Sequence, residues 1–155
     1  MLTFLGHGSV ARWTHEPLLL NTQIDTLQPG HGLPFVMTLN CLDGYWMMPP
    51  KYPGLIEARS MAEWMVMAPD HGSIGNFSPA GLGTTPAEEV IARNMYDAMF
   101  NDSQSRLGEL ALVGQWTTVG FPAHLPQVST LFGDPGGWLR MARARVYLPL
   151  VLRSW

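Results

Sequence analysis

Cysteine and lysine are nearly absent from this chain of 155 residues, which has one of each, Cys41 and Lys51. A single cysteine excludes an internal disulfide and any zinc site built from several thiolates. Charged residues make up only 14%, the net charge is -3, and the basic residues are scattered, which argues against nucleic acid as a partner. No segment approaches the ~18 apolar residues of a membrane span, and the first residues do not form a signal peptide.

Hydrophobic residues are abundant at 46%, which excludes a disordered chain and is typical of one globular domain. The 16 glycines and 13 prolines interrupt the chain often, so we expect short elements separated by loops. The sequence opens directly on the apolar run Leu2 to Leu5, which reads as a core strand. From this we expect the chain to be the C-terminal part of a longer protein.

Strand and helix patterns alternate along the sequence. Strands are predicted at residues 2–5, 34–40, 72–77 and 127–132, and helices at 22–27, 55–68, 85–100 and 105–115. For the helix at 85–100, we expect Thr85 as the cap, Pro86 at the first helical position and Glu88 completing a capping box. The alternation predicts an α/β fold with a mostly parallel sheet.

Two predicted strands end close to residues with nucleophilic and acid–base chemistry. His7 follows the first strand and Cys41 follows the second, and function collects at the carboxyl ends of parallel strands. An imidazole can take the proton of a thiol, hold the thiolate as an ion pair, and later protonate a leaving amine. The backbone of Gly8 could approach a substrate carbonyl closely. The residues alone leave open that Cys41 is a small buried hydrophobe and Gly6-His7-Gly8 an ordinary turn.

Several segments, in order, resemble the gingipain-type cysteine peptidases, which belong to the wider caspase-like group. The resemblance covers roughly residues 2–140. It lies in Gly6-His7-Gly8-Ser9 with Trp13, Leu33-Pro34-Phe35-Val36, Cys41-Leu42-Asp43-Gly44, Ser60-Met61-Ala62-Glu63-Trp64-Met65, Gly72-Ser73-Ile74-Gly75-Asn76 and Leu131-Phe132-Gly133-Asp134-Pro135.

This resemblance implies a cysteine endopeptidase that acts through an acyl-enzyme. It implies that Cys41 is the nucleophile, that His7 is the general base and acid, and that the N–H groups of Gly8 and Cys41 form the oxyanion hole. It implies a caspase-like, mostly parallel sheet flanked by helices, a protein or peptide substrate, no cofactor or metal, and an extracellular or cell-surface location.

The chain also departs from the family pattern. Family members carry strands and helices before the histidine, including acidic residues that support the histidine and read the substrate. The resemblance therefore implies a caspase-like catalytic subdomain at 1–140 that lacks its N-terminal strands, with the missing part of the same protein as a partner. The apolar tail at 141–155 is either a remnant of a following β-domain or a plain strand. Gly136-Gly137 replaces bulkier residues of the family.

Several other residues bear on alternative functions. His15, His31, His71 and His124 lack the spacing of metal ligands and are expected to be loop residues. Neither Ser9 nor Ser73 lies in a G-x-S-x-G motif, so a serine hydrolase is the weaker alternative. Residues 45–48 form either a substrate-pocket wall or a core plug. A non-catalytic caspase-like module that binds a peptide or a protein partner remains the second hypothesis.

Overall fold

The computed structural model describes residues 1–30, 32–47, 59–116 and 128–140. Its central element is a four-stranded sheet formed by β1 (Leu2–Leu5), β5 (Phe35–Leu39), β6 (Gly75–Pro79) and β7 (Ser129–Gly133), in the order β1-β5-β6-β7. β1, β5 and β6 are parallel, and β7 runs antiparallel to β6. The predicted α/β fold with a mostly parallel sheet is confirmed.

A second, smaller sheet lies where the sequence predicts only a loop. β2 (Gly8–Ser9), β3 (Arg12–Trp13) and β4 (Leu19–Leu20) pair antiparallel in that order. Each strand has two residues, too few to show an alternating pattern in the sequence. A 3₁₀ helix follows at Asn21–Thr26.

Three α-helices cover the main sheet: α1 (Met61–Met67), α2 (Thr85–Phe100) and α3 (Leu107–Trp116). Alternate residues of β5 serve opposite faces, because side chains alternate along a strand. Phe35, Met37 and Leu39 pack in the cluster that holds α2 and α3. Val36 packs in the second cluster, with Trp13, Ile24, Met61 and Met65. All five residues of β5 are buried, as its continuous apolar sequence predicts.

One predicted helix start and one predicted helix cap are wrong. The helix predicted over 55–68 begins only at Met61, because Ser60 has an extended backbone and caps the helix. α2 begins at Thr85, so its N-cap is Thr84, which makes no side-chain capping bond. The predicted capping box between Thr85 and Glu88 is therefore wrong. The tail at 141–155, residues 48–58, His31 and His124 lie outside the described residues.

Candidate active site

The ends of β1 and β5 bring the two segments with predicted chemistry side by side. Leu5 is paired with Leu39 in the parallel register of these strands. The ladder continues for one more hydrogen bond, from the Gly6 N–H to the Leu39 carbonyl at 3.2 Å. His7 and Cys41 each lie two residues beyond the Leu5–Leu39 rung, so the two segments leave the sheet at the same edge.

His7 opens a hairpin, residues 7–14, which we call the His hairpin. The Thr14 N–H donates to the His7 carbonyl at 2.8 Å, and Gly8 pairs with Trp13. This bond makes Gly8–Trp13 a non-hydrogen-bonded pair, so the Gly8 N–H points away from β3. The His7 side chain is exposed, and within the described residues its imidazole has no hydrogen-bond partner.

Cys41 lies in a tight turn, residues 40–44, which we call the nucleophile turn. Its side chain is half-buried. Leu42 has a φ of 62°, in the left-handed region that costs free energy for a residue with a side chain. Two backbone hydrogen bonds hold the turn after Cys41: the Leu42 N–H donates to the Gly81 carbonyl and the Gly44 N–H to the Pro79 carbonyl, each at 2.9 Å. The backbone that follows Cys41 is therefore fixed by the end of β6 and the loop after it.

Asn40 joins the nucleophile turn to the His hairpin by close packing. Its side chain is only 1% exposed and lies against Gly8, where any Cβ would overlap the Asn40 amide. Glycine at position 8 is thus required by this contact as well as by the chemistry predicted for it. Neither polar atom of the Asn40 amide has a hydrogen-bond partner in the described structure. A buried amide without a hydrogen-bond partner is costly for the folded state.

Asp43 is a fully buried carboxylate at the base of the nucleophile turn. Oδ1 accepts from Trp13 Nε1 at 2.7 Å, and Oδ2 accepts from the Thr38 hydroxyl at 2.9 Å. The Ser78 hydroxyl lies 3.3 Å from Oδ2 and 2.6 Å from the Thr38 hydroxyl. Trp13, Thr38 and Ser78 belong to β3, β5 and β6, so one carboxylate connects three strands of two sheets.

Burial is the main influence on the pKa of Asp43 and raises it above its ordinary value. Hydrogen bonds from Thr38 and Trp13, and the nearby Asn40 amide and Ser78 hydroxyl, act in the opposite direction because they favour the charged form. The Asn40 amide lies near this carboxylate without making a hydrogen bond of ordinary geometry.

Glu88 is a second buried carboxylate near the nucleophile turn. Its side chain is 8% exposed, and Oε1 has no hydrogen-bond partner within the described residues. Oε1 lies against Gly83, which also packs on the carbonyl of Asn40. Burial raises the pKa of Glu88 to about 7.

The structure brings the segments of all three predicted site residues to one sheet edge: His7, Gly8 and Cys41. Sequence reasoning missed Asn40, Asp43 and Glu88. Asp43 reads as a turn residue because Asp-Gly is a common turn pair. The only signal of its burial is the tryptophan and hydroxyl residues that surround it, and these are distant in sequence.

The four-stranded sheet and its helices define a caspase-like α/β fold. A crystal structure of the Arg-specific cysteine proteinase gingipain R (RgpB) matches with a TM-score of 0.76 at 17% identity. A complex of the RgpB pro- and mature domains from Porphyromonas gingivalis matches with a TM-score of 0.72 at 18% identity. Both matches cover 90% of this chain.

The family follows from the sequence comparison. The model of peptidase family C25, the gingipain family, matches residues 1–139, and the chain belongs to this family of cysteine peptidases. The chain spans about a third of the solved relatives, 33% of gingipain R and 34% of the RgpB chain in the complex. A search of curated proteins finds no match. Among the described residues, no helix combines the length and apolar character needed to cross a bilayer.

Proposed function

We propose that this chain carries the nucleophile and the general base of a cysteine endopeptidase, with Cys41 and His7 in these roles. The observation that carries the proposal is the Leu5–Leu39 rung, because both residues lie two positions beyond it. Both residues follow the ends of neighbouring parallel strands, so their backbones leave the sheet at the same edge. Family membership supports the same pair.

The proposed mechanism uses backbone and side chains of this edge only. His7 takes the proton of the Cys41 thiol, and the thiolate attacks the carbonyl carbon of a peptide bond. The oxyanion would accept hydrogen bonds from the Gly8 and Cys41 N–H groups; that of Gly8 already points away from β3. His7 then protonates the leaving amine, which leaves a thioester on Cys41. Water, deprotonated by His7, attacks the thioester, and the acid product and free thiol are released.

The half-buried thiol and the exposed imidazole make this proposal testable by alkylation. The iodoacetamide reaction rate of Cys41 is measured from pH 5 to pH 9 in the full chain, in His7→Ala and in His15→Ala. We expect the wild-type rate at neutral pH to fall ~10-fold or more in His7→Ala, because the imidazole supplies thiolate. The exposed His15 is the matched control and should leave the profile unchanged.

Equal rates in the wild type and in both histidine variants would overturn the dyad. Peptide hydrolysis by the wild type and its loss in Cys41→Ser would extend the result from thiol chemistry to peptidase activity. A His7-dependent thiol without hydrolysis would support the dyad and overturn the proposal that this chain alone is a peptidase.

A non-catalytic module that binds a peptide or a protein partner is the second candidate. It is favoured by one observation: in the described residues, no carboxylate contacts the His7 imidazole to orient it.

For the peptidase we propose a protein or peptide substrate, an extracellular or cell-surface location, and a partner in the remaining part of the same protein. The pro- and mature-domain complex of RgpB is a relative with such a protein partner.

A further inference from the structure

The His hairpin and the nucleophile turn belong to different sheets, so something must fix their separation. At the reactive end of both segments, the contact is the packing of Gly8 on Asn40, which includes no hydrogen bond in the described structure. The parallel ladder ends with the Gly6–Leu39 bond, before either reactive residue. Packing alone allows small displacements, and a misplacement of about 1 Å costs catalysis heavily.

Asp43 supplies polar links between the two segments. Its side chain accepts from Trp13 at 2.7 Å, and Trp13 is the register partner of Gly8. The same carboxylate is tied to Thr38 on β5, the strand that leads into Cys41. The buried side chain of Asp43 therefore connects Trp13, the strand partner of Gly8, to β5, the strand that precedes Cys41.

The main chain of Asp43 adds a second connection through helix α1. The Ala62 N–H donates to the Asp43 carbonyl at 3.0 Å, and the Met61 N–H donates to the Val10 carbonyl at 2.8 Å. Adjacent N–H groups at the start of α1 thus hold the nucleophile turn and the tip of the His hairpin. Trp13 is fixed in turn by stacking on Phe4 of β1, with ring centroids 4.4 Å apart and planes within 4°.

We propose that Asp43 is a positioning residue that holds the His hairpin against the nucleophile turn, so that His7 and Gly8 stay in register with Cys41. This inference rests on the proposed function of that pair. The critical contact is the Trp13–Asp43 hydrogen bond, because among the described residues it is the one side-chain hydrogen bond between the two segments. Asp43 touches no substrate in this role.

The chain contains a matched control for this contact. Trp64 Nε1 donates to Asp25 Oδ1 at 3.1 Å in an exposed Trp–Asp pair between α1 and the 3₁₀ helix. Trp13→Phe and Trp64→Phe each remove one indole N–H from such a pair and keep an aromatic ring. Asp43→Asn keeps an oxygen that can accept from Trp13, and the Thr38 and Ser78 hydroxyls can rotate to accept from the new amide.

The test is the pH profile of Cys41 alkylation by iodoacetamide in the full chain, with thermal unfolding measured alongside. In Trp13→Phe we expect the His7-dependent part of the rate to fall ~10- to 100-fold. Asp43→Asn should retain most of the rate, and Trp64→Phe and Asp25→Asn should match the wild type. A purely structural role would lower the melting temperature and leave the His7-dependent rate of the folded protein intact.

The outcomes separate this inference from the proposed function. If the wild-type rate does not depend on His7, the dyad is wrong and the positioning role fails with it. If the rate depends on His7 but Trp13→Phe equals Trp64→Phe, the positioning role alone is overturned. A loss in Asp43→Asn without a loss in Trp13→Phe would assign the effect to charge and would also overturn it.

Discussion

At the residue scale, Glu88 is an unusual group for the start of a helix. An acid in the first turn of a helix is normally exposed and stabilised by the free N–H groups. Glu88 is 8% exposed instead, and its Oε1 finds no hydrogen-bond donor in the described structure. Since burial disfavours the charged form, the folded protein favours the protonated acid, with a pKa of about 7 against 4.5 for an ordinary Glu.

This shift predicts a pH-dependent stability with a defined sign. Below pH 4.5, Glu88 is protonated in both states and the fold carries no penalty. Between pH 4.5 and 7 the unfolded state ionises first, so stability falls as the pH rises. Above pH 7 the full penalty remains. The substitution Glu88→Gln should therefore raise the free energy of unfolding, measured with urea, relative to the wild type. We expect this increase to be ~1–3 kcal/mol larger at pH 8 than at pH 4.5.

Glu89 provides the control for this measurement. It is the next residue on α2, is exposed, and forms a salt bridge with Arg93 at 2.8 Å. Glu89→Gln should lower stability by less than ~1 kcal/mol, because exposed ion pairs contribute little. A Glu88→Gln difference that does not change with pH would show that the carboxyl is not buried as the structure places it.

Candidate site residues could be proposed from the sequence only where the chemistry is visible in the side chain. His7 and Cys41 stand out because imidazole and thiol are reactive groups at strand ends. Asp43 and Glu88 read as a turn residue and a helix-cap residue, which are the common uses of acids at such positions. Their burial depends on tertiary neighbours, Trp13 for Asp43 and Gly83 for Glu88, and one sequence does not reveal those contacts.

At the element scale, α1 shows how a short helix is held in place. It has seven residues, too few to be stable alone in water. Ser60 caps it: Oγ accepts from the Glu63 N–H at 3.3 Å, and Glu63 Oε2 accepts from the Ser60 N–H at 2.9 Å. Three of its own side chains are buried: Met61, Ala62 and Met65. Capping and burial together fix the helix that binds both the hairpin and the turn.

Ser60→Ala tests the contribution of this cap. The substitution removes the acceptor for the Glu63 N–H and a donor to the Glu63 carboxylate. We expect a loss of ~1 kcal/mol in unfolding free energy, measured by urea denaturation. Thr84→Ala is the matched control, because Thr84 is the N-cap of α2 and makes no side-chain capping bond. Equal losses in the two variants would contradict the cap assignment.

Elements were predictable in proportion to their length and pattern. Leu2–Leu5 and Thr85–Phe100 have the predicted bounds, since one is a mostly apolar run that ends at a glycine and the other a long amphipathic helix. The predicted strand 72–77 is shifted to Gly75–Pro79. Gly72 packs so closely on the Met65 carbonyl that a Cβ would overlap it, so this glycine serves the contact between α1 and the loop. Sequence periodicity carries no information on such a contact.

At the scale of the whole molecule, the sheet order could be inferred only in part. The long connection between β1 and β5 permits the parallel pair that the structure has, since a parallel pair requires a crossover. The antiparallel direction of β7 was not predicted. The prediction of a caspase-like α/β fold is confirmed, and it was possible because the family motifs occur in order along the sequence.

An open sheet edge leads to the last prediction, which concerns association. β1 is an edge strand of the described sheet, and its Leu2 and Leu5 are 41% and 58% exposed. Exposed apolar edge strands pair with other chains, and lysine on the edge opposes such pairing. We therefore expect the 155-residue chain to self-associate with rising concentration in sedimentation velocity, and Leu5→Lys to shift it toward monomer.

Leu112 on α3 is the control, because it is 65% exposed but lies away from the edge strand. Leu112→Lys adds the same charge and removes a similar apolar area, so it should leave the association unchanged if β1 is the contact. Equal effects of the two substitutions would assign the association to general surface hydrophobicity. A wild-type chain that stays monomeric at every concentration would contradict this prediction and would show that the edge is already protected. In that case a mixture of the wild type and Leu5→Lys would sediment as a single monomeric species.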